Sequence, residues 1–265
     1  MTFKIFLIPT LLLSLLSCNS QTKETNDWTE SNLNHKVKSI HQKSYKVNRK
    51  KYLKNKEIDS IKNFKIEFII SYSNKGKIIK KEWKKTSTEL YEKWNYEYNE
   101  SNNKKKVSQT VLDEKTGKYR EIIRTYKYNN NKEVIEENIN YFDFQEPRKY
   151  LFEYNKYGKK TKMYRRFGNS KIELYKKFEY NSNGKLLKEL IYGGDDKIKL
   201  TKKYDYDSNG YIKNVEESTS YYKKSKYQKL YEYSLDSKKN WIEKIEFTNS
   251  DYITIKVREI EYFSE

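Results

Sequence analysis

Short runs of alternating apolar and polar residues, each broken by a compact cluster of Asn, Ser, Lys or Gly, fill most of this chain and predict β-strands joined by tight turns. In the cleanest copy, residues 174–180 (LYKKFEY) and 185–192 (KLLKELIY) flank the turn 181–184 (NSNG). A type I turn followed by Gly184 in the left-handed conformation, forming a bulge, suits that loop. Gly76, Gly158 and Gly210 hold the same place in other copies, whereas Asn102 and Asn103, and the asparagines at 129–131, stand in loops without glycine. Asparagine tolerates the left-handed conformation, so those hairpins are expected as well.

A key tyrosine precedes each turn: Tyr72, Tyr98, Tyr128, Tyr154, Tyr180, Tyr206 and Tyr233, at intervals of 26, 30, 26, 26, 26 and 27 residues. Such a near-constant step marks one supersecondary unit copied along the chain. Counting out from the turn, with Asn181 opposite Lys185, puts Tyr180 opposite Leu186 and Phe178 opposite Lys188 on one face. The same count sets Tyr72 against Ile78, Ile70 against Lys80 and Tyr206 against Ile212. An aromatic two residues earlier recurs as Tyr96, Tyr126, Phe152, Phe178, Tyr204 and Tyr231, so nearly every hairpin brings two rings to that face. Lysine stems opposite can cover rings while their ammonium groups stay wet. The other face is expected to carry Lys177, Glu179 and Glu189 beside Tyr175, Leu187 and Ile191.

Two strands per repeat make fourteen, and the alternating segments 36–47 and 252–263 add one at each end, the first joined to the repeats by the polar stretch 48–60. The predicted fold is all-β: a long antiparallel β-meander of about 16 strands, curved or spiral because strands twist. No segment beyond residue 17 has a sustained helical period with caps. With 35% apolar residues, the sheet should keep at least one solvated face. A bilayer-spanning barrel needs an apolar band on alternate positions, and these carry Lys and Glu.

Residues 1–17 stand outside the pattern. Lys4 precedes an apolar run at 5–16, too short for a permanent membrane helix, which ends in Leu15, Leu16, Ser17 and Cys18. The run reads as a secretory signal, and its last four residues resemble the lipobox of bacterial lipoproteins, where cleavage precedes an acylated cysteine. Cys18 is the only cysteine, so no internal disulfide competes for it. Residues 18–35, polar with one aromatic, Trp28, read as a flexible tether carrying lipidated Cys18, and 36–265 as the repeat domain. The expected location is the cell envelope, held in the membrane, specifically the outer one, through Cys18.

The chain carries 56 basic and 37 acidic residues, and losing Lys4 with the signal leaves a net charge of +18. That balance suits an acidic polymer or headgroup outside the membrane. Coding bias towards Lys, Asn, Ile and Tyr, at the expense of Ala, Gly, Pro and Arg, produces the same balance without a functional cause. Lysines are spread over every repeat, often beside glutamate, rather than clustered as in a nucleic-acid reader, so nucleic acid is not the expected partner.

Residues 178–185 (FEYNSNGK) and 204–210 (YDYDSNG) resemble the tyrosine-containing YD repeats of RHS proteins, especially short, lipidated, repeat-only proteins of Bacteroidetes-type bacteria. Residues 231–233 (YEY) followed by 240–244 (NWIEK) are similar to the last repeat of such proteins, and the resemblance covers about residues 36–263. Large RHS proteins wrap these repeats into a shell around a toxin, so the resemblance implies a spiral sheet; this chain has too few repeats to enclose such a domain.

Enzymatic constellations are nearly absent. His35 and His41 have no metal-ligand spacing, and the carboxylates at Glu97, Glu153, Glu179, Asp205 and Glu232 follow the repeat instead of forming one singled-out pair. Asp195 and Asp196, after two glycines, read as a turn. No catalytic role, cofactor or metal is therefore expected. The expectation that remains is a lipid-anchored binding or scaffold protein whose ligand surface includes Tyr154, Phe178, Tyr180, Tyr204 and Tyr206. Its rings would meet sugar faces or apolar partner surfaces, and its lysines acidic substituents, on a polysaccharide or an envelope protein. The resemblance to RHS proteins implies an alternative, an immunity or accessory protein of a toxin system.

Overall fold

The computed structural model describes residues 27–31, 33–56, 64–85, 90–101, 103–141, 146–220 and 225–264. A short helix α1 (Asp27–Glu30) precedes strand β1 (Val37–Asn48), and helix α2 (Arg49–Asn55) follows it. Then come β2 (Phe64–Tyr72), β3 (Ile78–Lys84), β4 (Leu90–Tyr98), β5 (Lys104–Asp113), β6 (Lys118–Tyr128), β7 (Val134–Tyr141), β8 (Arg148–Tyr154) and β9 (Lys160–Phe167). The array ends with β10 (Glu173–Tyr180), β11 (Leu186–Tyr192), β12 (Ile198–Tyr206), β13 (Ile212–Thr219), β14 (Ser225–Leu235), β15 (Trp241–Phe247) and β16 (Tyr252–Tyr262).

The fold is the expected all-β antiparallel meander, and its curvature runs to closure. Each strand pairs with its sequence neighbours, and β1 pairs with both β2 and β16, making a closed barrel of 16 strands. Closure leaves no edge strand to pair with other chains. Buried Asn240 reinforces the seam: its side-chain amide donates to the Asn34 carbonyl and the Tyr262 hydroxyl, both at 2.8 Å.

Each hairpin turn is built as its residues dictate. The Asn181 side chain accepts the Lys185 amide at 2.9 Å, Gly184 sits at φ 72°, and a bulge follows at once. That bulge corrects the register beyond the turn. Tyr180 does face Leu186, Tyr72 faces Ile78 and Tyr206 faces Ile212, but Phe178 faces Glu189 rather than Lys188, and Ile70 faces Lys81 rather than Lys80. One extra residue on the return strand moves everything past it to the opposite face. Glu189 and Ile191 therefore join the aromatic face, while the extra residue itself points into solvent, as exposed Ile79, Ile135 and Leu187 do.

In the loops without glycine, the left-handed residue is the lysine in the glycine position: Lys132, not an asparagine, and likewise Lys239, each at φ 61°. Asn102 lies outside the described residues. In the seventh hairpin the bulge follows Leu235, which pairs with Trp241, so Tyr233 occupies the place of Phe178 within its own turn.

The aromatic face is the concave one. Exposed strand residues, such as Glu97, Lys127, Glu153, Glu179, Asp205 and Glu232, lie on the opposite face, while the tyrosines between them are half-buried. Ion pairs line the outer wall: Glu136 lies 3.0 Å from Lys127 and 3.2 Å from Lys149, and Glu153 lies 2.8 Å from Lys162. Such ion pairs stand, among the described residues, at positions where a lipid-facing barrel carries apolar side chains. The same wall carries an apolar cluster on β1, β15 and β16, around Ile253 and Ile255, which Tyr52 of α2 covers. That helix arises inside the stretch read as a polar connection: Asn48 caps it by accepting the Lys51 amide, and Lys56 ends it in the left-handed conformation.

The described body begins at Asp27, inside the stretch 18–35 read from composition as tether. Trp28 and Leu33 are the reason: both are buried, packed with Val37, Ile40 and Tyr72. The turns that follow the key tyrosines lie on one rim, the turn rim, and the similarly bulged turn at 193–197 lies on the other; α1 docks on the turn rim, with the Asp27 amide donating to the Gly76 carbonyl at 2.9 Å.

Candidate functional site on the inner wall

Two rows of rings circle the inner wall near the turn rim. The outermost row has an evident structural duty. Between β11 and β12 the backbone ladder reaches Lys188 and Lys203, and beyond it the Tyr206 hydroxyl donates to the Leu186 carbonyl at 2.9 Å. The arrangement repeats: Tyr128 to Lys104 (2.8 Å), Tyr154 to Val134 (2.7 Å), Tyr180 to Lys160 (2.8 Å) and Tyr233 to Ile212 (2.9 Å), while Tyr98 shares its one hydroxyl hydrogen between the Ile78 carbonyl (2.8 Å) and the Asp27 carboxylate (2.7 Å). Each acceptor opens a return strand just before its bulge, where the strands part. The key tyrosine thus ties each hairpin after the first to the one before it, a duty that Phe could not perform, whereas Tyr72 of the first hairpin takes no part in this ladder.

The deeper row, Tyr96, Tyr126, Phe152, Phe178, Tyr204 and Tyr231, lies among cations and carboxylates. Lys160 Nζ stands 3.8 Å over the Phe152 ring, and Lys244 Nζ 4.1 Å over Tyr231. Burial pushes the Tyr96 phenol up to about 12 and raises Tyr126, Tyr204 and Tyr231 as well, so all stay protonated at neutral pH. Lys176 meets Glu189 at 2.6 Å, and Tyr204 donates to the same carboxylate at 2.9 Å. Across four strands, Gln109 bridges Glu92 to Arg124, and Arg124 approaches Glu137 at 3.6 Å.

The five proposed ligand residues are brought to one side of the sheet: Tyr154 on β8, Phe178 and Tyr180 on β10, and Tyr204 and Tyr206 on β12, all half-buried. They line the lumen instead of an open outer surface. Tyr154, Tyr180 and Tyr206 use their hydroxyls on backbone, leaving ring surface, whereas Phe178 and Tyr204 belong to the deeper row. Glu189 and Lys81 share this wall, which counting through the turn without its bulge had missed. Cys18 lies outside the described residues.

The lumen is wide enough to matter. With strands about 4.8 Å apart, a ring of 16 has a circumference of about 77 Å and a width of about 24 Å between backbones, before tilt widens it. Subtracting roughly 6 Å of side chain from each wall leaves on the order of 10 Å, the breadth of a sugar chain. Among the described residues no cluster of His, Cys, Asp and Glu has the makings of a metal site. His41 instead meets Glu67 at 2.5 Å on the outer face, and Asp195 pairs with Lys199 at 2.7 Å.

No family model matches the chain, and no curated protein sequence matches it. Among solved structures, it is similar to a porin-like protein from Bacteroides uniformis at 13% identity and a TM-score of 0.45, covering 85% of this chain and 98% of that one. It is also similar to chains of the TcdB2-TccC3-TEV and TcdB2-TccC3-Cdc42 structures, both at 12% identity, with TM-scores of 0.30 and 0.32. The match covers 76% and 73% of this chain but only 13% of each of those.

Proposed function

We propose that this chain is a cell-envelope binding protein, anchored through acylated Cys18, that receives a polysaccharide strand or a protein segment against the aromatic and lysine-lined inner wall of its barrel. The observation behind this reading is the deeper ring row: with the outermost tyrosines engaged in holding hairpins together, Tyr126, Phe178 and Tyr204 are large aromatics with no backbone hydrogen bond of that ladder. Rings beside ammonium groups suit sugars with acidic substituents and the apolar or acidic side chains of a protein segment. Outer-membrane placement and kinship with RHS/YD-repeat lipoproteins belong to the same proposal, resting on the lipobox-like 15–18 and the repeat at 178–185.

The test is binding to an array of envelope polysaccharides. Tyr154, Tyr180 and Tyr206 are changed to Phe, which keeps the rings, and Phe178 and Tyr204 to Ala, which removes them. Glycan binding that survives the Ala pair unchanged sinks recognition by this wall. Cys18→Ser should move the protein from the membrane fraction to the soluble one; persistence in the membrane refutes the anchor.

A further inference from the structure

Several inner-wall cations meet a carboxylate. Lys176 lies 2.6 Å from Glu189, Lys104 lies 2.6 Å from Asp27, and Lys202 and Lys229 share Glu217 at 3.3 Å each. Strands β15 and β16 bring together three cations that do not. Lys244 and Lys256 face each other across β15 and β16 on the inner face, and Arg258 follows two residues on. No described carboxylate lies within ion-pair distance of Lys244, Lys256 or Arg258; Glu246, two residues from Lys244, is the nearest acid on that strand's inner face.

Arg258 is held firmly while part of its guanidinium stays unused. Its Nε donates to Gln42 at 3.0 Å, and its central carbon lies 3.3 Å over the Trp241 ring. Its Nη1 is buried with no hydrogen-bond partner among the described residues. Lys244 hangs over Tyr231 at 4.1 Å and Tyr233 at 5.4 Å. Like charges placed opposite each other in a sheet are destabilising, and an unused buried donor costs more still. Burial and the neighbouring cations push the Lys244 amine down to about 8, as expected of a charge lacking its counter-ion.

We propose that Lys244, Lys256 and Arg258, beside the rings of Tyr231, Tyr233 and Trp241, form a binding site for a sugar bearing an oxyanion such as a carboxylate or sulfate. The cations supply the missing counter-charge and the rings a face for the sugar. This rests on the inner-wall reading above and adds to it the charge of the ligand and the part of the wall that selects it.

The test uses the detergent-solubilised full chain and calorimetric titration with a galacturonic acid trimer and a galactose trimer at 150 mM salt. The acidic trimer should bind at least tenfold more tightly. Lys244→Met with Lys256→Met should erase that preference, whereas Lys188→Met with Lys203→Met, the same cross-strand arrangement on the outer face, should leave it intact. A second measurement does not depend on variants folding: bound acidic trimer should protect Lys244 and Lys256, but not Lys203, from reductive methylation read by mass spectrometry. Equal affinity for both trimers, or an outer pair that matters as much as the inner, overturns the site and leaves the wider reading standing. Absence of binding by either trimer at millimolar concentration overturns both.

Discussion

Replacing the hydroxyls of Tyr154, Tyr180 and Tyr206 by hydrogen, as Phe, tests what holds successive hairpins together. Each substitution removes one donor at 2.7 to 2.9 Å from a backbone carbonyl and leaves the ring in place. A neutral hydrogen bond of this kind is worth about 1 kcal/mol net, and more where the stranded carbonyl cannot reach water. The three sites lie on alternate strands, roughly 10 Å apart, so their effects should add to about 3 kcal/mol. For a cooperative unit of this size, about 2 °C is lost per kcal/mol, so the triple variant should melt about 6 °C below the parent. Thermal unfolding followed by circular dichroism reads this directly. The control is Tyr126→Phe, in the deeper row, whose hydroxyl has no part in the ladder and should cost under about 0.5 kcal/mol. A triple variant within 1 °C of the parent, or a control that costs as much as a ladder tyrosine, would refute the assignment of the recurrent tyrosine to this role.

Lys132→Gly and Lys239→Gly should each stabilise the chain by about 0.5–1 kcal/mol in chemical denaturation, because a side chain at φ 61° carries a strain that glycine lacks, partly offset by glycine's freedom when unfolded. Gly184→Ala, at φ 72°, should cost about 1 kcal/mol in the same assay. Asp27 governs the docking of α1: burial works against its charge, but Lys104 and the hydrogen bonds from Tyr98 and Ile78 prevail and hold its carboxyl below the ordinary 3.8. A lowered native value means stability that is present above the unfolded value and lost as pH falls through the native one. Docking, read as the emission wavelength of buried Trp28, should therefore hold at pH 5 and weaken below about pH 4, and Asp27→Asn should red-shift the emission at every pH.

The strand count and the face carrying the rings follow from residue spacing alone, because period-2 alternation and an Asn-to-Gly turn are local properties. The register beyond each turn does not. The bulge after Gly184 swaps Lys188 for Glu189 on the inner wall, and a one-residue swap is invisible to a pattern in which Lys and Glu alternate with Leu. Closure was equally hidden, since twist accumulates over the whole array and the outcome depends on β1 and β16 finding each other. The helix α2 leaves no mark in the pattern because its seven residues contain one buried side chain, Tyr52, too few for a helical period. The cationic cluster of Lys244, Lys256 and Arg258 combines two strands, and whether these residues share a face is known only once their register is.

The inner wall and the anchor together orient the barrel. The chain reaches the body at the turn rim, where the Asp27 carboxylate accepts the Ile78 amide and the Tyr98 hydroxyl, each at 2.7 Å. Eight residues separate Cys18 from Asp27, and the nine steps between them, fully extended, span at most about 30 Å. With Cys18 acylated, as proposed, the turn rim must therefore stay within about 30 Å of the bilayer, while the opposite rim, with its connections at 168–172, 193–197 and 248–251, is free to face away from it. A ligand would then enter the lumen from the rim remote from the membrane. Fluorophores placed through Asn183→Cys on the turn rim and Asn249→Cys on the other should be quenched unequally by headgroup spin labels in reconstituted vesicles, the turn rim more strongly. Equal quenching, or stronger quenching at Asn249, would show that the tether does not set the orientation and would remove the argument for entry from the far rim.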